Sequence, residues 1–202
     1  NTSVSVEMAS HKHAKLQQIS SGFIYDEHGK AQALMPFGDT AKFKDLLEYI
    51  EESVVDKVVV VYVHKPVGEA LMEGLAMYNP ALIAGDQYMR RMGRDVNSEK
   101  DRFNGDPKCR VMVAQETAVK YGFTLMGTGV NPVLDMVFYE NSYSLDDRSQ
   151  TEERPQGNGQ IAALTIADYY STPVEAKIIG ALQRKESVSR VVVDHYLNRN
   201  VN

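Results

Sequence analysis

At 202 residues, with 43% hydrophobic and 24% charged side chains, the chain has the composition of a folded globular protein and length for one good-sized core or at most two small domains. Its net charge of -5 argues against a histone-like or polybasic coat for nucleic acid, while a local basic face stays open because binding responds to local potential. A single cysteine excludes an intramolecular disulfide; with no apolar leader near the start and no run approaching the roughly 18 apolar residues of a membrane span, a reducing, cytoplasmic setting is expected. The chain starts at Asn1 rather than Met, as expected of a fragment.

Residues 1–39 read as a lead-in, in which Leu16, Ile19 and Phe23 suit a short helical stripe. Asp39 or Thr40 can cap a helix whose Phe43, Leu46, Leu47 and Ile50 follow the i, i+3, i+4, i+7 pattern. Val58 to Val63 is an unbroken β-branched and aromatic run, expected of a strand covered on both faces. Pro66 starts the next helix, with Val67, Ala70, Leu71 and Leu75 inward. Ala81 to Ala84 is a second, short strand, and a polar, arginine-rich stretch from Gln87 to Asp95 leads to a helix near Ser98 to Asn104. Further strands are expected at Cys109 to Ala114, Met136 to Tyr139 and Ala162 to Ala167. Between the last two, Ser144 with Asp147 three residues on starts a helix, and Thr151 to Gly159 is the most linker-like stretch. Thr172-Pro173-Val174-Glu175 is a capping box opening a closing helix with the stripe Val174, Ile178, Ala181 and Leu182. Strands alternating with helices imply a parallel sheet covered on both faces, joined by right-handed crossovers.

Ligands of such sheets bind where loops leave the carboxyl ends of the strands. The polar groups after Met136 to Tyr139, with Gln150 and Arg154, fall there; a solvated helix-end arginine paired with Glu152 or Glu153 is the plainer reading of Arg154. In the loop before that strand, Thr117 and Lys120 suit phosphate contacts and Gly122 close backbone approach, although solvated loop polars are the plainer reading of the residues alone. His64 and Lys65 follow the first strand onto the same rim, open to a nucleic-acid contact or to a capping or core-edge role. Arg90, Arg91 and Arg94 make either a phosphate-tracking patch or a solvated face. Cys109 has no histidine near it in sequence, and His11-x-His13 is too weak a spacing for a metal, so neither a catalytic thiol nor a metal site is expected.

The segment MVFYENSYSLDDRSQTEERPQGNGQ (Met136 to Gln160) resembles the last motif of superfamily-two helicases in its Swi/Snf-like form: a strand, an aromatic SYSLxDR, Gln-x-x-x-Arg and a terminal Gly-Gln. KVVVVYVHK (Lys57 to Lys65) is similar to the strand that opens the second motor lobe, ALIAGD to the strand and Gly-Asp that follow it, and DRFNGDPKCRVMVAQ to the next strand region. VKYGFTL is similar to the loop motif before the last one, YYSTPVEAKIIGALQRKESV to the C-terminal helix, and HAKLQQISSGFIYDEHGKA to the segment entering the lobe. The ordered set covers nearly the whole chain. FIYDEH also looks like a magnesium-binding motif, but no G-x-x-x-x-G-K-S/T loop accompanies it and Gly29 directly after it favours a plain turn.

The resemblance implies a lead-in over residues 1–39 and, over 40–202, a C-terminal RecA-like three-layer lobe with a mainly parallel sheet of about five or more strands and helices on both faces. It implies a bacterial or phage source, ATP as cofactor with magnesium supplied through an absent first lobe, that first motor lobe as partner in cis, and double-stranded DNA as the track. Carried over, Arg154 and Gln150 would act at the phosphates and contact the nucleotide together with Gly122, while His64, Thr117 and Lys120 would touch DNA. One departure stands out: the second arginine of the motif is Gly157 here, and Asn158 replaces the usual basic or aromatic residue before Gly-Gln. Glycine cannot replace a guanidinium. Either Arg154 acts alone, another cation such as Arg148 takes the second place, or the motor is weakened. The alternative is a stand-alone, degenerate lobe that binds nucleic acid or protein without ATPase activity.

Overall fold

The computed structural model describes residues 11–12, 14–52, 57–119, 124–125, 127, 132–142, 144–155 and 163–184. A helix over residues 14–20 (α1) leads into an antiparallel hairpin of β1 (Phe23–Tyr25) and β2 (Ala31–Ala33). Its bend is the plain turn expected at Gly29, whose φ is +73°, with Asp26 Oδ1 accepting from the His28 and Lys30 N–H groups at 2.9 Å each. Then come α2 (Ala41–Glu52), β3 (Lys57–Tyr62), α3 (Lys65–Gly74), β4 (Ala81–Ile83), α4 (Asp86–Arg91), α5 (Val96–Gly105) and β5 (Val111–Gln115). The chain continues through α6 (Glu116–Val119), β6 (Val133–Phe138), α7 (Leu145–Glu152), β7 (Thr165–Asp168) and α8 (Pro173–Gln183). Strands β3 to β7 form one parallel sheet in the order β4-β5-β3-β6-β7.

The unbroken apolar run of β3 makes it the central strand, and its alternate side chains feed two cores. Val58, Val60 and Tyr62 pack with Phe43, Leu46 and Ile50 of α2 and Val67 and Leu71 of α3. Val59 and Val61 point the other way, onto Phe103 of α5, Met112, Met136 and Phe138. Each such side chain removed from water contributes roughly 1.5 to 3 kcal/mol, so this doubly covered strand holds the layers together. No helix among the described residues is long and apolar enough to cross a membrane.

The structure departs from the sequence expectations in several places. Phe23, expected to share a helical stripe with Leu16 and Ile19, lies buried in β1, whereas Leu16 and Ile19 are exposed. β6 starts at Val133 rather than Met136, its early half disguised by Asp135, which is buried beside Val58. The arginine-rich stretch contains the short helix α4, and α6 follows β5 without a loop. The last strand is displaced to Thr165–Asp168.

Helix α3 crosses β3 so closely that a Cβ added at Gly68 would lie 2.3 Å from the Tyr62 ring. Gly68→Ala is therefore expected to cost about 3 kcal/mol in urea denaturation by overpacking. Gly38→Ala, with nothing within 4 Å of its Cβ, is the control expected to stay within about 0.5 kcal/mol.

Candidate functional site

The carboxyl ends of β5, β3 and β6 carry the residues of interest. Gln115 ends β5, and Glu116 and Thr117 open α6; Thr117 is exposed on the rim, whereas Glu116 is fully buried. One Glu116 oxygen accepts from the Ser142 N–H at 3.2 Å, and the other has no hydrogen-bond partner. Burial pushes this carboxyl up to about 7, opposed by Ser142, reinforced by Asp147 and opposed again by Arg148.

Helix α7 begins as its cap predicts, with Ser144 Oγ accepting from the Asp147 N–H at 3.2 Å. Its first turn carries Asp146 and Asp147, so the positive end of its dipole is already offset and an anion here depends on a side-chain cation. Gln150 is exposed, and Arg154 stands half-buried just past the helix. The Leu125 N–H donates to the Arg154 carbonyl at 3.1 Å. The two stretches singled out in the sequence, around Thr117 to Leu125 and Ser144 to Arg154, therefore meet. Lys120 and Gly122 lie outside the described residues, as does Gly157.

Arg148 is not an available second cation. Its guanidinium bonds both carboxylate oxygens of Asp168, the Asn141 side-chain oxygen and Glu152, and lies 3.9 Å over the Phe138 ring. Those attachments use four of its five N–H donors, in contrast to the expectation that Arg148 could take the place of the second arginine.

His64 follows β3 and meets the chain just past β6 next to Asn141. Its Nδ1 is 3.0 Å from Glu140, and its ring packs edge-on against Phe23 at 5.4 Å. Glu140, at the end of β6, is buried and also accepts from the Val63 N–H at 2.9 Å, the His64 N–H at 2.8 Å and the Ser21 hydroxyl at 2.6 Å. The lead-in is fastened further by Gln17 Nε2 to the Asn141 carbonyl at 2.7 Å and by Ser20 Oγ to Glu175 at 3.0 Å. The crevice between the ends of β3 and β6, where α/β sheets commonly take a ligand, is thus lined by the protein's own N-terminal segment.

At the other side of the rim, Lys65, Gly85, Asp86, Gln87, Tyr88, Arg91 and Gln115 line a cleft of about 630 Å³. Lys65 and Arg91 flank the Tyr88 ring at 5.0 and 5.2 Å. Arg91 pairs with Glu69 at 3.1 Å and Arg94 with Glu99 at 2.8 Å, leaving Arg90 exposed. The arginine run is therefore partly neutralised by its own carboxylates.

Sequence reasoning missed Glu116, Glu140 and Asp168, whose partners lie far along the chain. The one signal was placement: each lies at the end of a strand of the parallel sheet or within two residues of it.

A five-stranded parallel sheet with helices on both faces and its polar loops at the carboxyl ends is a RecA-like α/β lobe. No family model and no curated protein matches the sequence. Among solved structures, the C-terminal part of the Fun30 ATPase domain is similar, with a TM-score of 0.59 and 18% identity over 78% of this chain and 53% of that one. The likeness is one of fold, and the chain spans about half the length of that structure.

Proposed function

We propose that this chain is the C-terminal motor lobe of a Swi/Snf-like, ATP-dependent DNA helicase or translocase, with Arg154 and Gln150 on the nucleotide side and Thr117 near the DNA track. The observation that supports this reading most is the junction of the α6 and α7 segments through Leu125 and Arg154 on the rim of a RecA-like sheet. ATP supplies the phosphoryl group, and magnesium would be held by residues of a first lobe. Phosphoryl transfer needs charge placed at the phosphates more than covalent chemistry. Arg154 provides that charge, and Gln150 provides an amide donor and acceptor beside it.

The test uses the complete two-lobed protein. Arg154→Ala is expected to lower kcat for DNA-stimulated ATP hydrolysis about 100-fold with little change in KM, as when one transition-state donor is removed. This lobe by itself is expected to hydrolyse no ATP; steady turnover by the purified chain that falls on Arg154→Ala would overturn the proposal.

The second reading, a lobe that binds nucleic acid or protein without hydrolysis, draws on the engagement of Arg148, which leaves Gly157 uncompensated by it. It predicts DNA binding that responds neither to ATP nor to Arg154→Ala. Gly157→Arg separates the two: a rise in DNA-stimulated turnover favours the motor, and no turnover before or after favours the module.

A further inference from the structure

Helix α7 has no apolar face. Its sequence LDDRSQTE buries only Arg148 and Thr151, and its single apolar residue, Leu145, lines a cavity of about 240 Å³ instead of filling the core. Helices are ordinarily held on a sheet by an apolar stripe. This one is held by a guanidinium.

We propose that Arg148 is a positioning residue, a polar anchor that fixes the rotation of α7 and so decides where Gln150 and Arg154 stand. This rests on the reading of Arg154 and Gln150 given above. The anchor reaches three elements. Asp168 at the end of β7 takes the fork with both carboxylate oxygens, Asn141 in the β6–α7 loop takes one nitrogen, and Phe138 of β6 lies under the plane. Glu152 one turn on takes Nε and closes the arrangement within the helix. A bidentate guanidinium–carboxylate pair is directional in a way that an ammonium or a leucine is not. Successive residues turn by about 100° around a helix, so with Arg148 inward Gln150 faces about 200° away, toward solvent, which agrees with its exposure. Asn141 also extends the anchor to the lead-in, since its carbonyl receives Gln17 Nε2 at 2.7 Å. Movement of the entering segment would therefore reach α7 through one asparagine.

The test is Arg148→Lys in the complete two-lobed protein, which keeps the charge and loses the fork. The expected result is a chain with native far-UV circular dichroism, backbone amide exchange over residues 145–152 at least tenfold faster, and kcat for ATP at least tenfold lower at unchanged KM. The double change Arg148→Asp with Asp168→Arg, which restores the pair reversed, is expected to recover part of the protection and of kcat. Unchanged exchange in 145–152 with unchanged kcat would overturn the proposal, as would exchange that rises equally across the whole sheet, because a general loss of stability is not a loss of position. Arg154→Ala in the same assays keeps the two readings apart. If it leaves kcat intact while Arg148→Lys loosens α7, the role given to Arg154 fails and the anchor stands.

Discussion

Glu140→Ala is expected to destabilise the lobe by about 4 kcal/mol in urea denaturation at neutral pH. The carboxylate is 1% exposed, and its removal leaves the Val63 and His64 N–H groups facing an apolar methyl. Each buried donor so orphaned costs about 1 to 3 kcal/mol, and the lost ionic hydrogen bonds with Ser21 and His64 add to that. Glu140→Gln is expected to cost far less, about 1 to 2 kcal/mol. An amide oxygen still serves the backbone pair, the Ser21 hydroxyl can turn, and His64 can shift its proton to Nε2 so that Nδ1 accepts. A loss as large for glutamine as for alanine would show that the negative charge, and not the accepting oxygens, is what the site requires. Burial alone would push the Glu140 carboxyl up, but the hydrogen bond and charge of His64, its backbone N–H and the Ser21 hydroxyl bring it below the usual range. A carboxyl depressed in the folded state contributes stability above its unfolded value, and that stability disappears as pH falls through the folded value. Acid unfolding is therefore expected to begin below about pH 4.

Glu116→Gln is expected to do the reverse, raising stability at alkaline pH. In the folded lobe this carboxyl is pushed from 4.5 to about 7, chiefly by burial. Between those values the folded state holds a proton that the unfolded chain has released, so stability falls as pH rises across the window and is lowest above it. Some 2.5 pH units correspond to about 3 kcal/mol. Glutamine resembles the protonated acid and removes the effect: thermal unfolding at pH 8 is expected to shift upward by several degrees, and at pH 4.5 hardly at all. A shift of equal size at both values would mean that glutamine acts through packing, and the ionisation argument would be wrong. Taken together, the two carboxylates contribute most to stability between the acid range in which Glu140 is protonated and the neutral range in which Glu116 ionises.

Features written within a few residues of one another were legible in the sequence. The Thr172 and Glu175 capping box, the Ser144 cap and the Asp26 turn each close over two to four positions, and all are present. β3 was legible, one residue out of register with the expected Val58 to Val63, because Val58 to Tyr62 share one requirement, burial on both faces. The class of fold followed from the alternation of strands and helices. β6 was read only in part, since Asp135 inside it looks like a loop residue until its neighbours are known. The site was less legible for the same reason carried further. Glu140 meets His64 across 76 positions and Ser21 across 119, and Gln17 reaches Asn141 across 124. Nothing in a lone glutamate marks it for such a place. Arg148 reads in the sequence as one more cation that could take the second arginine's place, whereas its surroundings make it part of the framework.

The polar character of α7 has a consequence for how this surface can vary. A helix seated on an apolar stripe commits roughly every third or fourth residue to the core, and changes on its outer face are limited by the need to preserve that stripe. Here two positions, Arg148 and Thr151, are committed, and the two hydrophobic cores are assembled from other elements. The remaining α7 positions can be rewritten without changing the volume of either core. A lobe built this way can acquire or lose side chains along this helix while the sheet beneath keeps its shape.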